Sequence, residues 1–367
     1  MKRCLSLALA LFGVAIGVTG LAQQSVPEIP FDSVPNFLRL PADMNFGEVP
    51  GVAVNSKGHV VAFTRSNSAN GPAYGATASQ LLEFGPDGKF LREIGKGLYA
   101  WSYAHAIRFD KDDNLWAIDK GSDMIVRINP EGHVTMVFGR KKEASDEAAP
   151  WTRVTPPRPP VNGQFRQPTD VTWDPHGNIY ISDGYINSRV AKFDKNGDWI
   201  KSYGEPGRSK LGELSTPHSI AADSKGNVYV ADRGNRRIQV LDQSGTFVRE
   251  IKIDVPIPPD AHPWMGADPT PEAAAAQNGA PWAICITPGP TEYLYSADAF
   301  PGRVYKLTLD GTVLGVLGKA GHQPKQFGWI HEIACPSENE IYVAELLNWR
   351  VQKLLLHPRG PKVTAAK

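Results

Sequence analysis

The feature that most constrains this chain is that one short pattern recurs six times along it. An apolar alternating strand, a polar turn and a β-branched strand ending in a charged corner recur as GVAVNSKGHVVAFTR from Gly51, AIRFDKDDNLWAIDK from Ala106 and DVTWDPHGNIYISDG from Asp170. SIAADSKGNVYVADR from Ser219, AICITPGPTEYLYSAD from Ala283 and EIACPSENEIYVAEL from Glu332 complete the set. Most units are followed by a second hairpin, of which RVAKFDKNGDWIKSYG from Arg189 is typical. Alternation over four to six residues around Asn-Gly or Asp-Gly links is hairpin patterning, and no comparable helical period runs through these units. A unit this small cannot bury its own apolar face, so the six must stack on one another.

The sixth unit stops early, because RVQKLLLH from Arg350 is followed only by PRGPKVTAAK. The stretch FLRL, Phe37 to Leu40, is expected to supply the missing outer strand and close a ring, which removes an edge that would otherwise invite aggregation. The fold expected is all-β, a six-bladed β-propeller over residues 46–356. It is preceded by an N-terminal segment, 23–45, that contains the closing strand, and followed by a tail, 357–367. Two long links, 141–164 and 255–280, are rich in Pro and small residues; they read as irregular surface segments, either a rim over a cleft or tolerated insertions.

Residues 1–22 read as a signal peptide. Lys2 and Arg3 precede an apolar run from Leu5 to about Val18, and Gly20 and Ala22 supply small residues for cleavage after Ala22. The mature chain is therefore expected to be secreted or periplasmic, without stable membrane insertion. Cys4 would leave with the signal, and whether Cys285 and Cys335 pair is left open by the sequence. The whole chain carries 39 Lys and Arg against 38 Asp and Glu, and loss of Lys2 and Arg3 leaves 37 against 38. That balance is no footprint for nucleic acid or an anionic membrane, so a ligand must be recognised locally.

Aligning the units places one residue just ahead of each inner strand: Pro50, His105, Thr169, His218, Trp282 and His331. Histidine fills the second, fourth and sixth of these slots. Alternate blades of a sixfold ring lie about 120° apart, so three imidazoles can converge on one axial point. Three neutral imidazoles with an open position suit catalytic zinc, and copper or another first-row ion can use the same donors. The residues alone leave a second reading open, in which these are strand-start histidines bonded to neighbouring loops. The other six histidines lack this register and read as structural or solvent-facing.

The start of an inner strand and the end of its neighbour lie on one face of an antiparallel pair. Arg65, Asp119 with Lys120, Asp183 to Tyr185, Asp232 with Arg233, Asp298 and Glu345 therefore surround the same opening. The repeated acids read as turn-capping groups whose carboxylates accept backbone N–H bonds. Arg65, Tyr185 and Arg233 stand apart: an Arg beside a metal can clamp a substrate carboxylate, and a phenol beside a cation can act as a base. Arg189 and Arg236 are expected to pair with the acids.

The repeats look like NHL repeats, and the ring with its three histidines resembles peptidyl-α-hydroxyglycine α-amidating lyase from about Phe46 to Leu356. YAHAIRFD, TPHSIAAD and WIHEIACP match the segments that carry the family's zinc ligands, which assigns that role to His105, His218 and His331. The string Asp183-Gly184-Tyr185-Ile186-Asn187-Ser188-Arg189 matches the one that carries the family's catalytic tyrosine, and Arg65 and Arg233 correspond to its substrate-binding arginines. The resemblance also implies a structural calcium deeper in the channel, held by Glu332 where the family has Asp, with the carbonyls of Val52 and Ile107. Ile186 replaces a family cysteine and Trp329 a family methionine, which leaves the pocket open to a peptidyl-α-hydroxyglycine or to a related α-hydroxyamide or carbinolamide.

The activity so implied is metal-dependent cleavage of the C–N bond at a hydroxylated α-carbon, on a small or peptide substrate that carries a carboxylate. Two other readings are kept. One is a metal-dependent hydrolase of esters or lactones on the same propeller; the other is an exported, non-catalytic NHL recognition propeller.

Overall fold

The computed structural model of the protein describes residues 26–65, 79–141 and 159–357. The expected signal peptide, most of the first long link and the tail beyond His357 lie outside the described residues. The described chain forms six four-stranded antiparallel sheets, with two short parallel pairs in the links. In the first blade, Glu48–Val54, Val60–Arg65, Ser79–Phe84 and Phe90–Ile94 follow one another outward. The inner strands of the other five are Ala104–Phe109, Asp170–Trp173, Pro217–Ala222, Ala283–Ile286 and Ile330–Ser337. Each touches the inner strands of both neighbouring blades, which closes the ring.

Among the described residues there is no single central core. Buried apolar side chains fall into six clusters, one at each blade–blade interface, as between Ala106, Trp116 and Ile118 of the second blade and Val171, Ile179 and Ile181 of the third. The inner two strands are packed on both faces and are apolar almost throughout, whereas the outermost strands alternate with exposed residues. The turn grammar has a direct cause: Asn55, Asp110, Asp174 and Asp223 each accept the amides two and four residues on, which folds the first hairpin of four blades.

Two expectations need correction. The ring is closed by an N-terminal strand, but that strand is Phe31–Ser33, paired with Leu354–Leu356 of the sixth blade. FLRL lies further on. Its Phe37, Leu38 and Leu40 pack into the interface between the sixth and first blades, and Arg39 makes one parallel bridge to Lys89. Three apolar residues out of four, flanked by Pro35 and Pro41, suit insertion between two sheets better than a half-exposed edge. The second long link is not wholly irregular: Thr270 caps a short helix, Pro271–Gln277, in which PEAAAAQ supplies Pro at the first turn and strong helix formers behind it.

Cys285 and Cys335 are joined in a disulfide, with Cα atoms 6.1 Å apart, that ties the inner strands of the fifth and sixth blades. Among the described residues no helix is long and apolar enough to cross a membrane.

Starting the chain at Asn36 removes the closing strand and the bonds of Pro27 and Ile29 to Val316 ahead of it, and keeps the apolar plug Phe37 to Leu40. Loss of buried Ile29 and half-buried Phe31 is expected to lower stability by about 3 kcal/mol, read as a lower denaturation midpoint, and to expose the sixth blade's edge, read as aggregation in sedimentation.

Candidate metal centre and channel mouth

Each of the three slot histidines sits at an irregularity in the strand ladder. Ala104 faces Asp119 and Ala106 faces Ile118; Pro217 faces Asp232 and Ser219 faces Ala231; Ile330 faces Glu345 and Glu332 faces Ala344. His105, His218 and His331 are the extra residues of three β-bulges. A bulge re-aims the side chain it carries, and here all three turn to the channel. Their ring centroids lie 4.6 to 4.8 Å apart, and the atoms able to bind a metal all fall within 4.8 Å of one another.

The intervening slots fix the tautomer. His105 Nδ1 lies 2.7 Å from the Thr169 carbonyl, His218 Nδ1 2.6 Å from that of Trp282, and His331 Nδ1 2.9 Å from that of Pro50. A carbonyl only accepts, so each Nδ1 carries the hydrogen and each Nε2 keeps its lone pair. All three rings are at most 5% exposed. Burial is the first cause holding them well below the ordinary imidazole pKa; neighbouring rings reinforce it at His105, Arg233 at His218 and Arg65 at His331. Neutral imidazoles, oriented by backbone carbonyls and with lone pairs facing one another, are the donor set that a first-row ion requires.

Tyr185 completes the mouth. Its hydroxyl is 3.3 Å from His105 Nε2 and 3.1 Å from His218 Nε2. The turn that carries it is held by Asp183, whose Oδ2 accepts from Asn187 Nδ2 at 2.6 Å and from Arg189 Nε at 3.0 Å. Gly184 is required here: a Cβ at this position would stand 1.9 Å from the carbonyl oxygen of Pro217, the residue before His218. Asp183 through Arg189 thus build a turn close enough to lean on the histidine strand.

Arg65 and Arg233 flank this group. Arg65 donates from Nε to the Ala104 carbonyl at 3.0 Å and from Nη1 to Glu48 at 2.6 Å, and its guanidinium lies 3.8 Å from the centre of the Tyr103 ring. Arg233 lies 3.9 Å from the centre of the Trp282 ring and 5.5 Å from that of Tyr185. Two further residues join them: Tyr103, which the sequence did not single out, and Lys120, which it placed at this opening without a role. Tyr103 is the platform for Arg65, and the Lys120 ammonium is 4.0 Å from the centre of the Tyr185 ring. Lys120 at a strand-end corner, two residues from the turn to Ser122, carried only that positional signal.

The corner acids are spent on the backbone. Asp119, Asp183, Asp232, Asp298 and Glu345 are fully buried and accept the amides of Ser102, Arg166, Ser215, Gly279 and Gly328 on the links that lead into the inner strands. Arg189 pairs with Asp183 as expected, but Arg236 bonds Asp254, and the partner of Asp232 is Arg237. Arg236 has a left-handed backbone at the end of a short turn, which directs the next side chain inward in its place.

Glu332, the carboxylate expected to hold calcium with the carbonyls of Val52 and Ile107, is used differently. Glu332 accepts the amides of Val52 at 2.8 Å and Ile107 at 3.2 Å, and the Arg108 guanidinium stands 3.3 Å from its other oxygen. Calcium requires six to eight oxygen ligands, whereas this carboxylate faces two N–H donors and a cation. These residues do not fit a calcium site.

Residues 214–241, which carry His218 and Arg233, match the NHL repeat family. The chain is a six-bladed β-propeller with an NHL repeat in its fourth blade. This propeller is 28% identical over 333 residues to peptidyl-glycine alpha-amidating monooxygenase B of Xenopus laevis, a match covering 83% of this chain and 33% of that protein. It therefore spans about a third of that relative's length. It is 26% identical over 378 residues to peptidyl-alpha-hydroxyglycine alpha-amidating lyase 1 of Drosophila melanogaster, covering 92% of this chain and 65% of the relative. In fold alone it is similar to virginiamycin B lyase from Staphylococcus aureus, with a TM-score of 0.52 at 16% identity over 90% of this chain and all of that one.

Substituting His218 by Ala removes one of three donors from the channel mouth without touching the interface cores. Elemental analysis of the purified protein is expected to show about one equivalent of a first-row metal per chain in the wild type and loss of most of it in His218→Ala.

Proposed function

We propose that the chain is a metal-dependent lyase that splits a peptidyl-α-hydroxyglycine, or a related α-hydroxyamide, into an amide and a glyoxylate-like aldehyde acid. The observation that carries this reading is the convergence of three neutral imidazole Nε2 atoms with the Tyr185 hydroxyl 3.1 and 3.3 Å from two of them. Its relatives named as amidating lyases support the same reaction class.

In this reading His105, His218 and His331 would hold zinc, which as a Lewis acid makes a nearby hydroxyl easier to deprotonate. Tyr185, as phenolate, takes the proton of the substrate hydroxyl. The electron pair of that O–H bond becomes the second bond of the new carbonyl, and the C–N bond breaks. Its electron pair leaves with the amide nitrogen, which takes up the proton that Tyr185 removed, so the phenolate is restored and no water is consumed. Arg65 clamps the substrate carboxylate with Arg233 in support; Arg65 is pre-set for this by Glu48, Tyr103 and the Ala104 carbonyl. The N-terminal apolar run and the disulfide support placement of the mature chain outside the cytoplasm.

Tyr185→Phe is expected to keep its metal and to lose turnover of an α-hydroxyglycine peptide by roughly a hundredfold or more. Equal turnover would remove Tyr185 as the base. Product analysis separates this reaction from a lactone or ester hydrolase, since the lyase yields amide and aldehyde acid without incorporating oxygen from labelled water into the amide.

A further inference from the structure

An inner strand has one edge paired within its blade and the other facing the channel. Its channel-side peptide groups are buried and need partners. Just below the imidazoles, four side chains supply them. Glu332 accepts the amides of Val52 and Ile107; Asp170 accepts those of Val171 at 2.8 Å and Ile220 at 3.1 Å; Ser219 Oγ accepts that of Ile284 at 3.1 Å. The carbonyls of Ile284 and Ile333 each accept from the Arg108 guanidinium at 3.1 Å. Arg108 also grips Asp170 with two prongs, at 3.0 and 2.7 Å, and donates to Ser219 Oγ at 3.2 Å. This set touches the inner strands of all six blades.

Arg108 does not belong to the repeat. The residues at its level in the six inner strands are Ala53, Arg108, Thr172, Ala221, Cys285 and Ala334, and all but Arg108 are small. They line a cavity of about 320 Å³ on the side of the channel away from the histidines, and the guanidinium stands between that cavity and the mouth. Its partners are next-door neighbours of the slot residues: Asp170 follows Thr169, which takes the His105 Nδ1–H; Ser219 follows His218; Glu332 follows His331.

We propose that Arg108 is the permanent axial cation of this channel and a positioning residue for the imidazoles above it. One guanidinium, bonded to two buried carboxylates and two strand-edge carbonyls, occupies the place where a divalent ion would have to find its oxygens. The same bonds lock the backbone on which all three histidines ride. The axial-cation role stands without the metal reading of the mouth, whereas the positioning role rests on it.

Two measurements on the full chain separate these roles. Wild-type protein is expected to keep the same unfolding temperature in excess calcium and in a calcium chelator, and to carry no calcium after gel filtration; a calcium-dependent rise would overturn the axial-cation role. Arg108→Met is expected to bind zinc roughly ten- to a hundredfold more weakly in competition titration, although no imidazole is altered. Arg108→Lys, which restores the charge without the fork, is expected to recover part of the loss. Wild-type zinc affinity in Arg108→Met, or in Arg108→Lys if the Met variant does not fold, would overturn the positioning role. Absence of zinc binding by the wild type would instead sink the metal reading, with the calcium result still standing.

Discussion

Three N–H groups, each handed from an imidazole to the carbonyl of the next blade, organise this molecule's working end. Those bonds run from even-numbered slots to odd-numbered ones, so the blades without histidine are as necessary as those with it. They set the hydrogen on Nδ1 and turn the Nε2 lone pairs toward one another, and that arrangement holds only if the ring closes at the correct diameter. Closure in turn depends on six interface cores and on Phe31–Ser33 sealing the last blade.

The mouth and the channel solve one problem with different materials. Buried imidazoles are kept neutral by burial and by nearby guanidinium groups. Below them, the exposed edges of the inner strands are satisfied by a charged set in which a single cation meets two carboxylates. Buried carboxylates need compensation in place, because desolvation would otherwise cost several kcal/mol per ion. Gly51 shows how tight this layer is: a Cβ there would lie 3.1 Å from Glu332 Oε2 and 3.0 Å from Phe63 Cβ. The histidine layer therefore stands on a floor that has little room to yield.

Much of this was legible in one dimension because a repeat protein prints its architecture as period. The six units, the turn residues and the equivalent slots of His105, His218 and His331 follow from alternation and spacing. So does the bland role of the corner acids, since a carboxylate at a strand end faces amides before anything else. The closing strand was misplaced because three residues of pairing leave almost no pattern, while FLRL, which looks like a strand, is an apolar plug. Arg108 broke the pattern of small residues at its level, but a charged residue in an inner strand has no meaning until its partners are known.

The amino-acid sequence by itself determined the blade count, the β class and which side chains stand at the head of each inner strand, because these depend on local period and turn chemistry. The tertiary structure alone decided that the histidines ride on bulges, that backbone carbonyls fix their tautomer, and that Arg108 takes the axial position in place of an expected calcium. Each of these rests on a contact between blades distant in sequence, and such contacts exist only once the ring has closed.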